Sequence, residues 1–308
     1  MTANRRIAHL LALPLRLRPL ETAFRALCGA PWARGPLKCR QIAFAHAADI
    51  DRFEIRLARL DGYDFYVNIA EPLGVVAYFL RDPGIDSVAL RLVRENDDCL
   101  DAGANMGSYV FALAHATAPR GRVLAFEPQP RYATLLRASV ERGGLGDRVF
   151  VDDRALWSKS GEKRMLYVST DPNNSGTSSL IDRFSQTDHR EPIVTSTVSA
   201  AEALAERGIK RCRLMKIDVE GVELDVLLGM KEMLGRVDFV VMETREGSAA
   251  HDFLTGHGFR SALLHSDEDV DGSGNAVPGT LVDRLYVAES CIGELASRVP
   301  DLRLSDGP

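Results

Sequence analysis

The sequence predicts an α/β protein with a mostly parallel sheet, and three features support that prediction. Short apolar segments alternate with helical segments after residue 96, which is the pattern of a parallel sheet. One of these segments, Cys99–Ala102, runs into a turn of small residues and then into a predicted helix over residues 108–118. A second apolar segment, residues 123–127, follows about twenty residues later and completes a strand–helix–strand unit.

The turn after the first strand has the composition of a ligand-binding loop. Asp101 stands near the end of the strand, and Gly103 and Gly107 lie on either side of Asn105. Glycine permits positive φ angles and the close approach of a ligand to the backbone. Because Ser108 begins the predicted helix, the first N–H groups of that helix point into the turn with a partial positive charge. Such a turn suits a carboxylate or a phosphate.

The second strand ends on a carboxylate, Glu127. An acidic residue at this position of a strand–helix–strand unit can accept hydrogen bonds from ribose hydroxyls. The turn and Glu127 together predict a cofactor that contains adenosine. The simpler interpretation is that Asp101 only terminates a strand and Gly103 only makes a tight turn. That interpretation suits one motif alone and is weakened by the second motif at this spacing.

The spacing of the glycines discriminates among adenosine cofactors. A dinucleotide site has the pattern G-x-G-x-x-G, whereas here three residues separate Gly103 from Gly107. A P-loop needs Gly-Lys-Ser/Thr, and no lysine follows Gly107. Asp101 would repel a polyphosphate but would attract a cation such as the α-amino group of a methionine moiety. We therefore infer S-adenosylmethionine, and a nicotinamide-dependent reductase is the weaker enzymatic alternative.

The remaining predicted elements precede the turn or extend the sheet. Before it, a strand pair and a helix are predicted at residues 53–60, 65–69 and 75–80. After it, strands are predicted at residues 149–153, 163–168, 214–218 and 238–243, with a late antiparallel strand at 283–288. The predicted helices between them span residues 131–142, 200–207, 223–228 and 249–257.

Three sequence strings also resemble a known family. They are LDAGANMG at residues 100–107, AFEP at 125–128 and KIDVEGVE at 216–223. Together they resemble FkbM-type methyltransferases over roughly residues 60–260. The resemblance implies a class I methyltransferase (Rossmann-like) fold, with a seven-stranded, mostly parallel sheet and helices on both faces. It also implies methyl transfer from S-adenosylmethionine to an oxygen of a sugar, glycolipid or polyketide-like acceptor. Met106 departs from the β-branched residue usual in that turn.

The predicted cofactor contacts follow from the turn, the second strand and this resemblance. Asp101 is expected near the methionine amino group, and Glu127 on the ribose hydroxyls. Asp153, at the end of the third strand, could accept from the adenine amino group or could be a surface acid beside Asp152. The predicted cofactor-binding residues are Asp101, Gly103, Asn105, Gly107, Ser108, Glu127, Pro128, Asp153 and Ala155.

Carboxylates at the ends of the fourth and fifth strands remain for the acceptor. An acceptor hydroxyl becomes more nucleophilic when a base takes its proton during the attack. Asp218 and Glu243 are the candidate bases, and Glu220 could assist or stabilise the start of the next helix. Lys216 is predicted to pair with a carboxylate. The three acidic side chains could also accept magnesium, but no metal site is indicated, and without a histidine in the motif zinc is disfavoured.

Composition narrows the class of protein further. The chain has 308 residues, of which 45% are hydrophobic and 26% charged, as in ordinary globular proteins. A net charge of −5 argues against nucleic-acid binding through bulk charge. Five scattered cysteines give neither a disulfide framework nor a zinc cluster and favour a cytoplasmic location. The expected partner is a small-molecule, glycan or glycolipid acceptor, contacted by the polar loops 171–188 and 267–278.

The N-terminal region differs from the rest in charge. Residues 1–40 carry a net +7 and the remaining residues −12. Leucines at helical spacing with arginines between them predict a basic helical arm that packs on the domain, with peripheral membrane contact as the alternative. The predicted organisation is an arm (1–45), a lead-in region (46–95), a methyltransferase domain (96–290) and a tail (291–308). A catalytically inactive cofactor-binding or interaction module is the alternative to an enzyme.

Overall fold

A seven-stranded sheet forms the centre of the protein. The computed structural model describes residues 3–28, 37–169, 171, 175–182, 191–264 and 282–305. The described strands are β1 (Ile55–Leu60), β2 (Tyr63–Asn68), β3 (Cys99–Ala102), β4 (Val123–Phe126), β5 (Val149–Asp152), β6 (Ala155–Leu156), β7 (Lys163–Val168), β8 (Glu191–Val198), β9 (Cys212–Ile217), β10 (Val237–Thr244), β11 (Phe259–Leu263) and β12 (Val282–Ala288). The described α-helices are α1 (Ala3–Ala12), α2 (Arg18–Cys28), α3 (Leu37–Ala48), α4 (Pro72–Val75), α5 (Ser87–Leu92), α6 (Ser108–Ala116), α7 (Pro130–Gly143), α8 (Ala200–Glu206), α9 (Glu223–Leu228), α10 (Ala249–Thr255) and α11 (Ile292–Arg298).

The order of the central sheet places a crevice at its middle. The strands follow one another as β11–β12–β10–β9–β3–β4–β5. The pairs from β10 through to β5 are parallel, and β12 runs antiparallel to both β10 and β11. This confirms the seven-stranded, mostly parallel sheet with a late antiparallel strand. Because the chain proceeds from β3 to β4 on one side and returns to β9 on the other, the order reverses at β3, where such sheets bind ligands.

Helices cover both faces of this sheet, as predicted. Cys99 and Leu214 belong to one buried cluster, to which α6 and α7 contribute. Their neighbours in sequence, Leu100 and Met215, belong to the other cluster, which contains residues of α8, α9 and α10. Strands buried on both faces have nearly continuous apolar sequences, which is why local pattern identifies them.

Several elements are not predicted by the sequence pattern. Strand β8 pairs with β7 and β6 in a separate three-stranded sheet, and β11 pairs with β12. Helices α5 and α11 are short and were not predicted either. Partners distant in sequence stabilise these strands, and local periodicity carries no information about those partners. The predicted strands and helices are otherwise confirmed, with ends that differ by up to three residues.

The regions outside the central sheet share its core. Phe65 of β2, Phe79 of the π-helical segment Val76–Leu80 and Leu295 of α11 all belong to the buried cluster that contains Cys99. The stretches predicted as a lead-in region and a tail therefore pack on the same core as the sheet. None of the described helices is both long and apolar enough to span a lipid bilayer.

A buried ion pair fixes the N-terminal helices to the domain. The carboxylate of Glu21, 2% exposed, accepts from Arg56 Nε at 2.6 Å and Nη2 at 2.7 Å. The Tyr78 hydroxyl donates to the same carboxylate at 3.0 Å, and His46 Nε2 lies 3.6 Å away. Burial alone would raise the pKa of Glu21, but the hydrogen bonds from Arg56 and the proximity of His46 outweigh it and lower the pKa to about 2.

We expect Glu21→Gln to destabilise the protein by about 2–3 kcal/mol at pH 7, because it leaves the buried Arg56 guanidinium without its main partner. A lowered carboxyl pKa stabilises the folded state above the ordinary value of 4.5, and that contribution is lost as the pH falls toward 2. The effect of the substitution should therefore shrink between pH 4.5 and pH 2. Urea unfolding at several pH values measures the loss of stability. Glu206→Gln is the control, because that exposed carboxylate pairs with Arg154 at the surface, where ion pairs contribute little.

Candidate active site

A cavity opens at the carboxyl ends of β3, β4, β9 and β10, with a volume of about 360 Å³. The turn between β3 and α6 forms one wall, and the residues that follow the other strands form the rest. The cavity brings together most of the residues predicted from the sequence: Asp101, Gly103, Asn105, Gly107, Ser108, Glu127, Pro128, Ala155, Asp218, Glu220 and Glu243.

The turn needs its glycines for two physical reasons. Gly103 has a φ of +79°, and a Cβ atom there would lie 1.8 Å from the carbonyl oxygen of Asp218. Gly107 has a φ of +100°, and a Cβ atom there would lie 2.5 Å from the Phe111 ring. Between them, Asn105 also has a positive φ, 47°, a conformation that asparagine tolerates better than most residues. The backbone is therefore shaped to approach β9 and α6 closely.

We expect Gly103→Ala to destabilise the protein by more than about 2 kcal/mol, because the methyl group meets a backbone oxygen as well as an unfavourable φ. Gly144→Ala is the matched control. Gly144 has a φ of +61°, but the position that a Cβ atom would take there has no neighbouring atom within 4 Å, so only the backbone penalty of about 1 kcal/mol applies. Thermal unfolding of both variants measures the difference, and equal losses would contradict the close approach of Gly103 to β9.

Asp101 is a buried carboxylate that lacks a close partner. It is 1% exposed, and within the described residues neither of its carboxylate oxygens accepts a hydrogen bond. Burial raises its pKa to about 6, while the nearby Lys216 ammonium opposes that shift. Among the described residues, the Oδ1 of Asn105 and the Oγ of Ser108 are likewise buried without a hydrogen-bond partner, and both residues line the same cavity. Buried polar atoms are rarely left unpaired, so this group of atoms fits a polar ligand.

Lys216 lies between the two sides of the cavity. Its Nζ is 3.0 Å from Asp218 Oδ2 and 3.8 Å from Asp101 Oδ1. The same Nζ donates to the Gly103 carbonyl at 3.3 Å and lies 5.4 Å from the centre of the Tyr109 ring. Burial opposes its charge, but the carboxylates of Asp218 and Asp101 outweigh burial and raise its pKa. The predicted pairing of Lys216 with a carboxylate is confirmed.

Glu127 is held by the backbone of the turn and of its own strand end. Its Oε2 accepts from the Asn105 N–H at 2.7 Å, and its Oε1 accepts from the Gln129 N–H at 2.8 Å. Burial raises its pKa to about 7, and these two backbone hydrogen bonds oppose the shift. Each carboxylate oxygen retains a lone pair for a further donor. The arrangement can therefore receive a pair of vicinal hydroxyls.

A second group of carboxylates lies on the opposite side of the cavity. Glu243 near the end of β10 stands opposite Asp283 of β12 in the antiparallel register, and both line the cavity with Asp218. Burial is the main cause that raises the pKa of Glu243 to about 7, and repulsion from Asp218 and Asp283 adds to it. Glu220 also lines this side, with a left-handed φ of 55°, and its carbonyl accepts from Ser179 Oγ at 2.7 Å. The Gly221 N–H ahead of α9 donates a hydrogen bond to Glu223 Oε1 at 2.7 Å.

Asp153 lies apart from the other predicted cofactor-binding residues. It follows strand β5, which ends at Asp152. The Asp153 carboxylate is 61% exposed and accepts from Arg137 Nη2 at 2.9 Å, and the residue is not among those that line the cavity. The structure instead brings Ala155 and Leu156 of β6 to this wall. In this structure the surface alternative therefore describes Asp153.

Sequence reasoning missed several residues that line the cavity. Asp283 was missed because its neighbours depend on the order of β10, β12 and β11. Gln129, 3% exposed, donates from Nε2 to Ser178 Oγ at 3.0 Å and joins α7 to the polar loop. The position of Gln129 directly after the AFEP string was the available signal. The other missed lining residues with polar side chains include Tyr109 and Tyr132, whereas Ser178 and Ser179 belong to the polar loop that the sequence predicted.

The two polar loops are described only in part. Of the loop at residues 171–188, Gly176, Ser178, Ser179 and Leu180 line the cavity. Residues 172–174 and 183–188 lie outside the described residues, as does the whole loop at 267–278. Among the described residues, no group of three or more His, Cys, Asp or Glu side chains is arranged to hold a metal ion.

The site fits S-adenosylmethionine. The unpaired oxygens of Asp101, Asn105 and Ser108 are acceptors for an ammonium group, and the Glu127 carboxylate is an acceptor for ribose hydroxyls. With a sheet of this topology and the cavity at its point of reversal, the protein is a class I S-adenosylmethionine-dependent methyltransferase. The sequence profile of the FkbM methyltransferase domain matches residues 101–261. The chain belongs to the FkbM methyltransferase family.

Curated relatives and solved structures are similar to this chain. The 31-O-demethyl-FK506 methyltransferase FkbM of Streptomyces tacrolimicus is 32% identical over 195 residues, which cover 54% of this chain and 74% of that protein. The hexuronic acid methyltransferase AglP of Haloferax volcanii is 27% identical over 196 residues, which cover 62% of this chain and 74% of that protein. A crystal structure of an FkbM methyltransferase from Methylobacillus flagellatus KT aligns with a TM-score of 0.40 and 16% identity, over 81% of this chain and 59% of that one.

Proposed function

We propose that the protein transfers a methyl group to a hydroxyl of a sugar, glycolipid or polyketide-like acceptor. The observation that supports this proposal is Glu243, a carboxylate in the cavity wall whose pKa is raised to about 7. A base is most effective when its pKa lies near the working pH. An unionised hydroxyl gains most from such a base, because it must lose its proton as the new bond forms.

The two sides of the cavity have different roles in this proposal. S-adenosylmethionine, when bound, supplies an electrophilic methyl group. Asp101, Asn105 and Ser108 would hold its methionine end, and Glu127 its ribose hydroxyls. Rigid holding of this kind supplies much of the rate of a displacement reaction.

The acceptor side contains two candidate bases with different surroundings. The Asp218 carboxylate forms an ion pair with Lys216 Nζ at 3.0 Å, which fixes its position in the wall. Within the described residues, the Glu243 carboxylate makes neither a hydrogen bond nor an ion pair. We infer that Glu243 takes the proton and that Asp218 orients the acceptor. Glu220 stands beside both and contributes to the negative charge of this wall.

The charge of this wall also selects the acceptor. Asp218, Glu220, Glu243 and Asp283 together disfavour an acceptor that carries a carboxylate near its reacting atom. The negative charge of the wall is the basis for this preference, because the names of the relatives differ on it: one acts on 31-O-demethyl-FK506 and another on a hexuronic acid, which has a carboxylate of its own. A neutral polyol therefore suits the site better than an acid.

The test has a binding step and a transfer step. Calorimetric titration with S-adenosylhomocysteine, with NAD as the control, should show binding of the first compound alone. Tritiated S-adenosylmethionine is then offered with a panel of sugars, lipid-linked sugars and macrolide hydroxyl compounds. An alkali-stable methyl ether is the expected product, and an alkali-labile methyl ester would contradict hydroxyl transfer. Cofactor binding without transfer to any member of the panel would favour the inactive binding module.

A further inference from the structure

The first two helices have large apolar side chains on their outer surface. On α1, Ala8 and Ala12 are buried against Ala45 of α3, whereas Leu10 is 66% exposed. On α2, Glu21 is buried, whereas the adjacent Leu20 is 44% exposed. A helix that only packed on the domain would bury its leucines and expose its glutamate. Here the arrangement is reversed.

The exposed apolar residues lie on one stripe of each helix. On α1 they recur at positions i, i+3 and i+4, and from the start of α2 at i, i+3 and i+10, which is helical spacing. We call them the arm face: Ile7 at 55% exposure, Leu10 at 66%, Leu11 at 54%, Leu17 at 62%, Leu20 at 44% and Leu27 at 42%. Exposed apolar side chains grouped along a helix in this way mark an interaction site.

The charge beside the arm face is positive. Arg16 and Arg18, whose side chains are 60% and 62% exposed, lie between the stripes of α1 and α2. They pair with Asp49 and Glu54 at 3.1 Å, but exposed pairs of this kind are weak and open to competition. Glu21 is the only acidic residue among residues 1–40, and it lies on the buried side of α2, where it pairs with Arg56. The outer surface of these helices therefore combines leucines with exposed arginines whose ion pairs are open to competition.

We propose that the arm face binds the surface of an anionic lipid bilayer. Leucines that enter the acyl boundary and arginines that meet phosphate groups are the two features of an interfacial amphipathic helix. The remaining residues carry a net charge of −12, so an anionic bilayer would attract the arm face and repel the rest of the chain. The protein would then lie on a membrane through its first two helices, in reach of acceptors attached to lipid.

Vesicle co-sedimentation of the full chain tests this proposal without any methyl transfer. Sucrose-loaded vesicles of phosphatidylcholine with phosphatidylglycerol should bind the protein at low salt, and vesicles of phosphatidylcholine alone should bind it weakly. The double variant Leu10→Ser/Leu17→Ser should bind the anionic vesicles about tenfold less tightly or worse. Val194→Ser is the matched control, because Val194 is 62% exposed on β8, far from the arm face in sequence. Leu20→Ser/Leu27→Ser is a second variant, in case the first fails to fold.

The results of these experiments distinguish a lipid bilayer from a second copy of the chain as the partner of the arm face. Loss of binding in the arm variants, with the control unaffected and S-adenosylhomocysteine binding retained, supports the proposal. Absence of wild-type binding to anionic vesicles at low salt would overturn it. A wild-type oligomer in sedimentation velocity that becomes a monomer in the arm variants would overturn it as well. The arm face would then bind a second copy of the chain.

Discussion

Replacing Asp101 by asparagine is expected to abolish tight cofactor binding and to stabilise the unliganded protein. The carboxylate is buried, and within the described residues neither oxygen accepts a hydrogen bond, so its charge costs folding free energy in the absence of a ligand. Its pKa is raised from 3.8 to about 6, which corresponds to about 3 kcal/mol of destabilisation above pH 6. A net gain on the order of 1–3 kcal/mol is expected, since Lys216 loses a partner at the same time.

The pH dependence of this variant follows from the sign of the shift. A raised carboxyl pKa means that the folded state binds more protons than the unfolded state between pH 3.8 and about 6. The wild type therefore loses stability relative to Asp101→Asn as the pH rises through that range, and the difference is constant above it. Thermal unfolding at pH 4 and pH 8 should show a small and a large difference, respectively.

Asp153→Asn is the control, because that carboxylate is exposed and paired with Arg137 outside the cavity. It should change neither the stability profile nor the affinity for S-adenosylhomocysteine. An unchanged dissociation constant in Asp101→Asn would remove Asp101 from the cofactor site. Lower stability of that variant at pH 8 would show that its carboxylate has a partner in solution.

Glu243→Gln is expected to lower kcat by about 10²–10⁴-fold while S-adenosylhomocysteine still binds with wild-type affinity. The substitution keeps the size of the side chain and removes its ability to take a proton. In the wild type, activity should fall as the pH decreases below about 7, because Glu243 is then protonated. The residual activity of Glu243→Gln should lack this fall.

Glu246→Gln is the matched control for the second prediction. Its carboxylate lies three residues further along, is 70% exposed and pairs with Arg284, so the same loss of charge occurs outside the cavity. Wild-type kcat is expected for it. If Glu243→Gln retained full kcat and the same pH profile, methyl transfer would depend on positioning alone. Asp218→Asn should in contrast raise KM for the acceptor, because Asp218 is proposed to orient it and would lose its ion pair with Lys216.

The sequence alone indicated the residues of the proposed cofactor side of the site. Asp101 and Glu127 follow buried parallel strands whose apolar runs are visible locally, and the glycines between them specify a turn that the backbone cannot otherwise form. Such features arise from residues close together in the chain. Their chemistry therefore followed from strand ends, turn conformation and charge without knowledge of the neighbouring strands.

Only the tertiary structure decided which side chains surround Glu243 on the proposed acceptor side and whether Asp153 is exposed. Asp153 is exposed and pairs with Arg137 outside the cavity, and the insertion of β12 between β10 and β11 places Asp283 opposite Glu243. Likewise, Lys216 becomes a bridge between two carboxylates only because β9 pairs with β3. The pKa of Glu243 depends on burial and on the charges of Asp218 and Glu220, which follow β9, and of Asp283 in β12. Strand order and burial are set by contacts between distant parts of the chain, and local sequence pattern does not encode them.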